Sequence, residues 1–452
     1  MKVTLQKNRL VSSILVCWLT LSSCAMADTT LYLAGSDKNS SEYQQFAQNH
    51  PELTIHTETN LFLSTNEIIS AFLTGEFPYD TFAMTSSSFD FCQMMEKGYC
   101  SPLDSSLLDC ELEKMHSPIR QMLIYQGQLY GAPFHCYVGY YTYRPDAWEA
   151  AGLSREDVPS SFEEFLDFLE YWVERIRETP EDDISVSNLF DGEQYGEHSY
   201  ISYLVDRLVE NHIMQCNYAG EPLRFNTPVF RNLLERCQEI GKALYLFEPI
   251  QKGSMSLFED LYGMRELKYL VPLRLTTDQP ILIKSTLYVS FLNARSQHPQ
   301  LATEYLENCV SCMAPEIGAY LYRDAQPVED PAYVQMMDAR RLEIEALEER
   351  MTDEIDPLEK NMLREQITNL KEQWEAMAKS EERYLISESD LKIYREYGDS
   401  LYFQPPSIFD PSTEEGQNAK QLRNQFSMGY LTVDQFVDQL DGLAWILEME
   451  EQ

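Results

Sequence analysis

The chain is short of positive charge and of histidine. Against 73 aspartates and glutamates stand 35 lysines and arginines and 7 histidines, giving a formal net charge of −38. A surface of that sign repels phosphate backbones and anionic lipid headgroups, which argues against nucleic acid as a partner and against any membrane association held by charge. The sequence also lacks an apolar run near the roughly 20 residues that a membrane-spanning helix needs. No H-E-x-x-H, G-x-S-x-G or Gly-rich phosphate loop occurs. The usual signatures of metalloprotease, serine-hydrolase and nucleotide chemistry are therefore missing, and neither an enzyme nor a cofactor or metal is expected. Adjacent acids such as Glu163 and Glu164 are common here. In a chain this acidic they belong on solvated helix faces and do not mark a glycosidase.

The N-terminus carries Lys2, Lys7 and Arg9 with no acid, then a nearly apolar stretch from Leu10 to Leu21. That is the layout of a signal peptide. At its end stands Leu21-Ser22-Ser23-Cys24, which resembles the lipobox of bacterial lipoproteins. There the cysteine receives diacylglycerol and becomes the new N-terminus. A second reading is cleavage after Ala25-Met26-Ala27, which would free a secreted protein beginning at Asp28. The lipobox is preferred because all four positions fit. Removing a leader with three bases and no acid takes the charge from −38 to about −41, so a membrane attachment has to be covalent. Attachment at Cys24 would hold the protein on the outer face of the cell membrane through its lipid alone.

With 44% hydrophobic residues over 452 positions, the chain is globular and exceeds what one core usually serves, so two lobes are expected. Besides Cys17 and Cys24 there are eight cysteines, irregularly spaced, and most are read as buried thiols. Cys309-Val310-Ser311-Cys312 has no second CxxC or nearby histidine, and is read as two positions at a helix end.

Thr30 to Leu33 and Leu53 to Glu58 read as strands, with helices over Glu42 to Asn49 and Asn66 to Leu73. Strands alternating with helices imply βαβ units in a mainly parallel sheet, whose ligands bind outside the carboxyl ends of the strands. That rule singles out Ser36 and Asp37, and Thr85 and Ser86. The aromatic stretch Gly127 to Arg144 reads as a strand with two different faces. Ser160 and Glu163 suggest a capping box before a helix. From Asp338 to Glu382 the chain is strongly charged and free of glycine, with apolar residues at Ile344, Leu347, Met351, Ile367, Leu370, Trp374 and Met377. Steps of three and four predict two amphipathic helices, the second opening at Asp356-Pro357 with Glu359 closing a capping box. A solvated insertion is one reading of this hairpin, and a docking arm is the other.

Several segments together resemble the family 1 extracellular solute-binding proteins of bacterial ABC importers. The resemblance is carried by Tyr79-Asp80-Thr81-Phe82, Gly98-Tyr99 with Pro102-Leu103-Asp104, and Gly127-Gln128-Leu129-Tyr130-Gly131-Ala132-Pro133. Tyr141 to Asp146, Pro159 to Phe165, Phe225-Asn226-Thr227-Pro228 and Gly429 to Phe436 extend it in the same order. It implies an α/β, two-lobed periplasmic-binding-protein-like (type II) fold, with crossing strands near Phe134 to Tyr143 and Ile281 to Asn293. The implied boundaries are a leader over 1–23, lobe 1 over 28–136 with 285–325, and lobe 2 over 137–284 with 384–452. The helical hairpin is inserted over 326–383. A small ligand, by analogy a sugar or oligosaccharide, would be held between the lobes and delivered to ABC permease subunits. His135 and Tyr137 on the crossing, and Tyr195 and Arg274 from the second lobe, join the candidates for contact. Two departures weaken the sugar inference: Tyr143-Arg144 replaces the family's asparagine, and Pro272 to Thr286 lacks a glycine pair. The same fold serving as a surface adaptor without transport is the other non-enzymatic reading, and an exported hydrolase the enzymatic one.

Substituting Cys24→Ser is expected to release the protein from the membrane fraction into the medium. Fractionation followed by mass spectrometry of the mature N-terminus checks this, and an unchanged membrane fraction would point to another anchor.

Overall fold

A computed structural model describes residues 29–58, 65–75, 77–88, 91–178, 188–190, 197–246, 256–262, 267–354, 356–403 and 414–450. The leader and Cys24 lie outside these residues. No helix among them is long and apolar enough to cross a membrane.

The chain opens with strand β1 (Thr30–Ala34), helix α1 (Ser41–Asn49), β2 (Thr54–Glu58), α2 (Thr65–Thr74) and β3 (Thr81–Thr85). Each boundary falls within a residue or two of the sequence expectation. Ser40 starts α1 by accepting a hydrogen bond from the Tyr43 amide, the usual use of a serine before a helix. β1 pairs in parallel with both β2 and β3. Next comes β4 (Gly131–Tyr143), a 13-residue strand, and, after further helices, β5 (Asn188–Phe190), β6 (Ser256–Tyr262) and β7 (Ile283–Leu292). With β10 (Leu401–Phe403) they complete one eight-stranded sheet in the order β2-β1-β3-β7-β4-β6-β5, β10 pairing with β7. The parallel expectation holds for the first three strands. The centre is antiparallel, because β3–β7, β7–β4 and β4–β6 all run in opposite directions.

Two separate apolar cores cover this sheet. The first collects Leu31, Leu33, Phe82, Phe291, Tyr305 and others, reaching as far as Leu401 and Phe403. The second is built around Trp148, Phe165, Leu204, Phe230 and Phe258, together with Phe426 and Phe436. β4 passes from one to the other. Its first half pairs with β7 and its second half with β6. The first crossing segment therefore lies where the resemblance puts it, whereas the buried apolar residues of β7 all belong to the first core.

The first core corrects one boundary. Residues 384–403 pack with lobe 1, not lobe 2. β10 pairs in parallel with Ile283 to Ser285 of β7, and α10 (Glu388–Tyr397) buries Leu391 and Tyr394 in the first core. Only α11 (Glu414–Ser427) and α12 (Val433–Glu450) fulfil the second-lobe expectation, through Ala419, Phe426 and Phe436.

The inserted hairpin is α8 (Pro331–Asp353) and α9 (Pro357–Lys379). Its own small core comprises Ile344, Leu347, Leu363, Ile367 and Leu370, with Met351 and Trp374 against it. Leu363 belongs to the seam although the spacing argument passed it over, and Met377 is not among these residues. Asp356 caps α9 by accepting from the Leu358 amide. Among the described residues Glu359 closes no capping box; a side-chain hydrogen bond with Glu354, together with that residue's like charge, raises its carboxyl pKa. The box expected at Ser160 and Glu163 is shifted by one residue. Ser161 Oγ accepts from the Glu164 amide, and the Glu164 carboxylate accepts from the Ser160 amide and hydroxyl. The eight cysteines described are free thiols, five of them buried.

Gly35, after β1, has φ +83°, and a Cβ there would lie 2.4 Å from Cβ of Ala83. Gly35→Ala is expected to cost about 2–4 kcal/mol, combining left-handed backbone strain with overpacking. A lower urea midpoint checks it.

Candidate functional site

The carboxyl ends of β1 and β3 bring Ser36, Asp37, Thr85 and Ser86 to one edge of the first lobe. Their side chains are already employed to differing degrees. Ser36 is 8% exposed and its Oγ accepts the Tyr305 hydroxyl at 2.8 Å. Ser86 is fully buried. Its amide donates to the Leu287 carbonyl at 2.8 Å, and its Oγ accepts from the Leu287 amide at 2.9 Å. Ser86 thus extends the pairing of β3 with the crossing strand by one residue and fixes lobe 1 to the hinge. Asp37 is exposed, its carboxylate accepting from the Asn39 amide in a tight turn. Thr85 shares hydroxyl hydrogen bonds with Ser87 and Ser88.

On the crossing, β4 and β7 pair His135 with Tyr288 and Tyr137 with Thr286. Cross-strand partners point to the same face, so His135, Tyr137 and Tyr288 form one aromatic row. The ring centroids of His135 and Tyr137 are 6.1 Å apart in a stacked arrangement, and Tyr288 meets His135 edge-on at 5.5 Å. Tyr137 is 45% exposed, unusual for an aromatic in the middle of an eight-stranded sheet. His135 Nδ1 is buried without a hydrogen-bond partner among the described residues, and burial lowers the ring's pKa.

Beside this row lies a cavity of about 190 Å3, lined by Tyr137, Gly139, Tyr141, Thr286 and residues of α4 (Glu197–Ala219), β6 and the segment 270–273. Four charged side chains line it: Arg207 and Glu210 on α4, Asp260 on β6 and Lys284 on β7. Arg207 is salt-bridged to Asp260, and Lys284 Nζ lies 2.5 Å from Glu210. The Arg207 guanidinium also stacks over the rings of Tyr203 and Tyr141 at 5.1 and 5.6 Å. Burial raises the Asp260 pKa against the pull of Arg207, whereas Lys284 and Arg207 overcome burial and lower that of Glu210. Two cations against two anions leave the wall charge-balanced. Such a wall offers directional hydrogen bonds without selecting ligand charge.

Arg274 serves the fold. Its Nε donates to the Ser160 carbonyl at 2.9 Å and its Nη1 to the Gln279 carbonyl at 2.7 Å, tying a loop to the start of the helix Phe162–Glu178. It is not among the cavity-lining residues. Tyr195 lies outside the described residues. The sequence reading missed Arg207, Glu210, Asp260 and Lys284. Only tertiary structure unites them, and in so acidic a chain an Arg-x-x-Glu on a helix carries no signal. Among the described residues, no group of three or more His, Cys, Asp or Glu side chains is placed to hold a metal ion.

Two cores joined by crossing strands, with an aromatic row and a polar cavity at the crossing, define the two-lobed periplasmic-binding-protein-like fold. In particular, the chain superposes on the cyclic alpha-maltosyl-1,6-maltose binding protein of Arthrobacter globiformis over 92% of its own length and 97% of that chain, with TM-score 0.53 and 11% identity. It superposes equally broadly on the sugar-binding protein MalE of Xanthomonas citri, over 94% and 100%, with TM-score 0.51 and 14% identity. At these identities the likeness is one of fold, and the motif resemblance has its counterpart there. No family model and no curated protein matches the sequence.

Burial lowers the pKa of His135, and likewise of His116 and His212. A histidine depressed in the folded state takes up its proton more readily when unfolded, so stability falls as pH drops below the unfolded value of about 6.5. The urea midpoint is expected to be lower at pH 5.5 than at pH 7.5, with a smaller difference in His135→Phe. An identical difference in that variant would remove His135 from the account.

Proposed function

We propose that the chain is an extracytoplasmic solute-binding lipoprotein. It captures a neutral sugar or oligosaccharide between its two lobes and delivers it to the permease of an ABC importer. The observation that carries this is the exposed ring of Tyr137 on a strand shared by both cores, beside a charge-balanced cavity. A flat aromatic face suits the C–H surface of a sugar ring, and flanking polar groups suit its hydroxyls. Ligand touching both lobes favours the closed arrangement by its differential affinity, which gives a permease a form to recognise. The fold neighbours named above are sugar-binding proteins and not enzymes, which supports binding over catalysis. The lipobox at Cys24 supports an anchor. Five residues lie between that cysteine and Thr30, and at about 3.3–3.6 Å per residue the connection would keep the receptor within about 20 Å of the membrane.

A thermal-shift screen of the mature chain against neutral mono- and oligosaccharides tests this reading. A ligand at one hundred times its Kd adds about 2.7 kcal/mol to stability. Tyr137→Ala is expected to weaken that ligand about tenfold, the loss of one stacking contact of about 1.4 kcal/mol, with the unliganded melting temperature unchanged. Stabilisation by no saccharide, or release of cleaved product from one, would sink it.

A further inference from the structure

A second cavity, of about 300 Å3, lies at the opposite end of the first-lobe strands. It is lined by Thr30 and Tyr32 at the beginning of β1, by Phe77 to Asp80 before β3, and by Asn293 and Arg295 to His298 after β7. Tyr32 and Ser36 are four residues apart, about 13 Å along an extended strand. This cavity is therefore separate from the crossing and from the strand ends described above.

Its floor is closed on itself. Asp80, 3% exposed, accepts the Tyr32 amide at 2.9 Å and the Ser296 hydroxyl at 2.6 Å. Asn293 Nδ2 donates to the Tyr79 carbonyl at 2.6 Å, and the Arg295 guanidinium to the Phe72 carbonyl at 2.5 Å. These bonds pre-organise the cavity and leave its buried charges satisfied. The rim is different. Tyr32 pairs with His56 across the parallel strands β1 and β2, and the two rings stack at 5.1 Å with 13° between planes. Tyr32 is 38% exposed and lines the cavity, whereas His56, stacked against one face of that ring, is not among the lining residues. The Tyr32 hydroxyl and the His298 ring line the same cavity and make no hydrogen bond among the described residues, leaving a donor and an acceptor free at its edge.

We propose that this cavity is a second saccharide site, taking one pyranose unit of a neutral polysaccharide. The Tyr32 ring, backed by His56, matches the apolar face of a pyranose, and the free hydroxyl and imidazole match its hydroxyls. The neutrality follows from charge: the chain carries −38 and Glu58 ends the strand that supplies His56, so an anionic polymer is repelled. Such a site would hold the receptor on the polymer whose fragments the lobes capture, and it does not depend on the cleft being occupied.

Affinity electrophoresis of the full mature chain in native gels tests it. The gels contain soluble starch, arabinoxylan, galactomannan or, as an anionic control, polygalacturonate. Retardation is expected in at least one neutral gel and not in polygalacturonate. Tyr137→Ala should retain it, while Tyr32→Ala should weaken it about tenfold, one stacking contact, and His56→Ala, which removes the ring behind Tyr32, should weaken it less. His56 is exposed, so loss of binding in that variant is not loss of folding. No retardation in any neutral gel, equal retardation in polygalacturonate, or retardation lost with Tyr137→Ala but kept with Tyr32→Ala would each overturn the proposal. Cleft binding is read separately by the thermal shift with small oligosaccharides, which Tyr32→Ala should leave intact.

Discussion

One strand carries the architecture. β4 exchanges its hydrogen-bonding partner halfway along, from β7 at Val138 to β6 at Gly139, and each half lies over a different core. A strand with backbone bonds on both sides cannot easily shift register, because a one-residue slip would turn every side chain to the other face. Val138, Cys136 and Tyr140 are buried in the first core while Tyr141 and Tyr143 belong to the second. Slippage would thus disrupt both cores at once. The strand ties both cores to a single register.

Other features reinforce the junction. Ser86 continues the β3–β7 ladder with its own side chain, and β10 seals the far edge of β7 at Ile283 to Ser285. Lys284 reaches from β7 to Glu210 on α4, while Arg207 on the same helix holds Asp260 on β6. Exposed ion pairs contribute little by themselves. Partly buried ones set orientation, since losing one partner leaves a charge short of its counterion. The hairpin α8–α9 stands apart, with a core that shares no residue with the other two. At 1.5 Å per residue its 23-residue helices are about 35 Å long.

Local elements were legible in the sequence where local chemistry decides them. Ser40 and Asp356 mark helix starts by competing for backbone amides, and the three-four spacing of Ile344, Leu347, Ile367 and Leu370 fixes the hairpin seam. The crossing strand was readable because His135, Tyr137 and Gly139 alternate with buried Cys136, Val138 and Tyr140. Two things were hidden. The allegiance of 384–403 depends on β10 finding β7 more than a hundred residues away, and nothing local encodes that pairing. Of the candidate residues, Tyr137 lies exposed on the crossing strand, whereas the side chains of Ser36, Ser86 and Arg274 make hydrogen bonds within the chain. A serine after a strand looks the same in sequence whether its hydroxyl meets a ligand or a neighbouring strand.

The two cores also bear on how the chain reaches this state. The first draws on residues from Leu31 to Phe403, and the second from Tyr141 to Ala444. Neither closes until most of the polypeptide is present, so folding cannot proceed lobe by lobe in the order of synthesis. Contacts this distant in sequence make folding slow, and a nascent chain would stay open until nearly its last helix had emerged. If the chain is exported as proposed, that delay would keep the polypeptide threadable for as long as translocation requires.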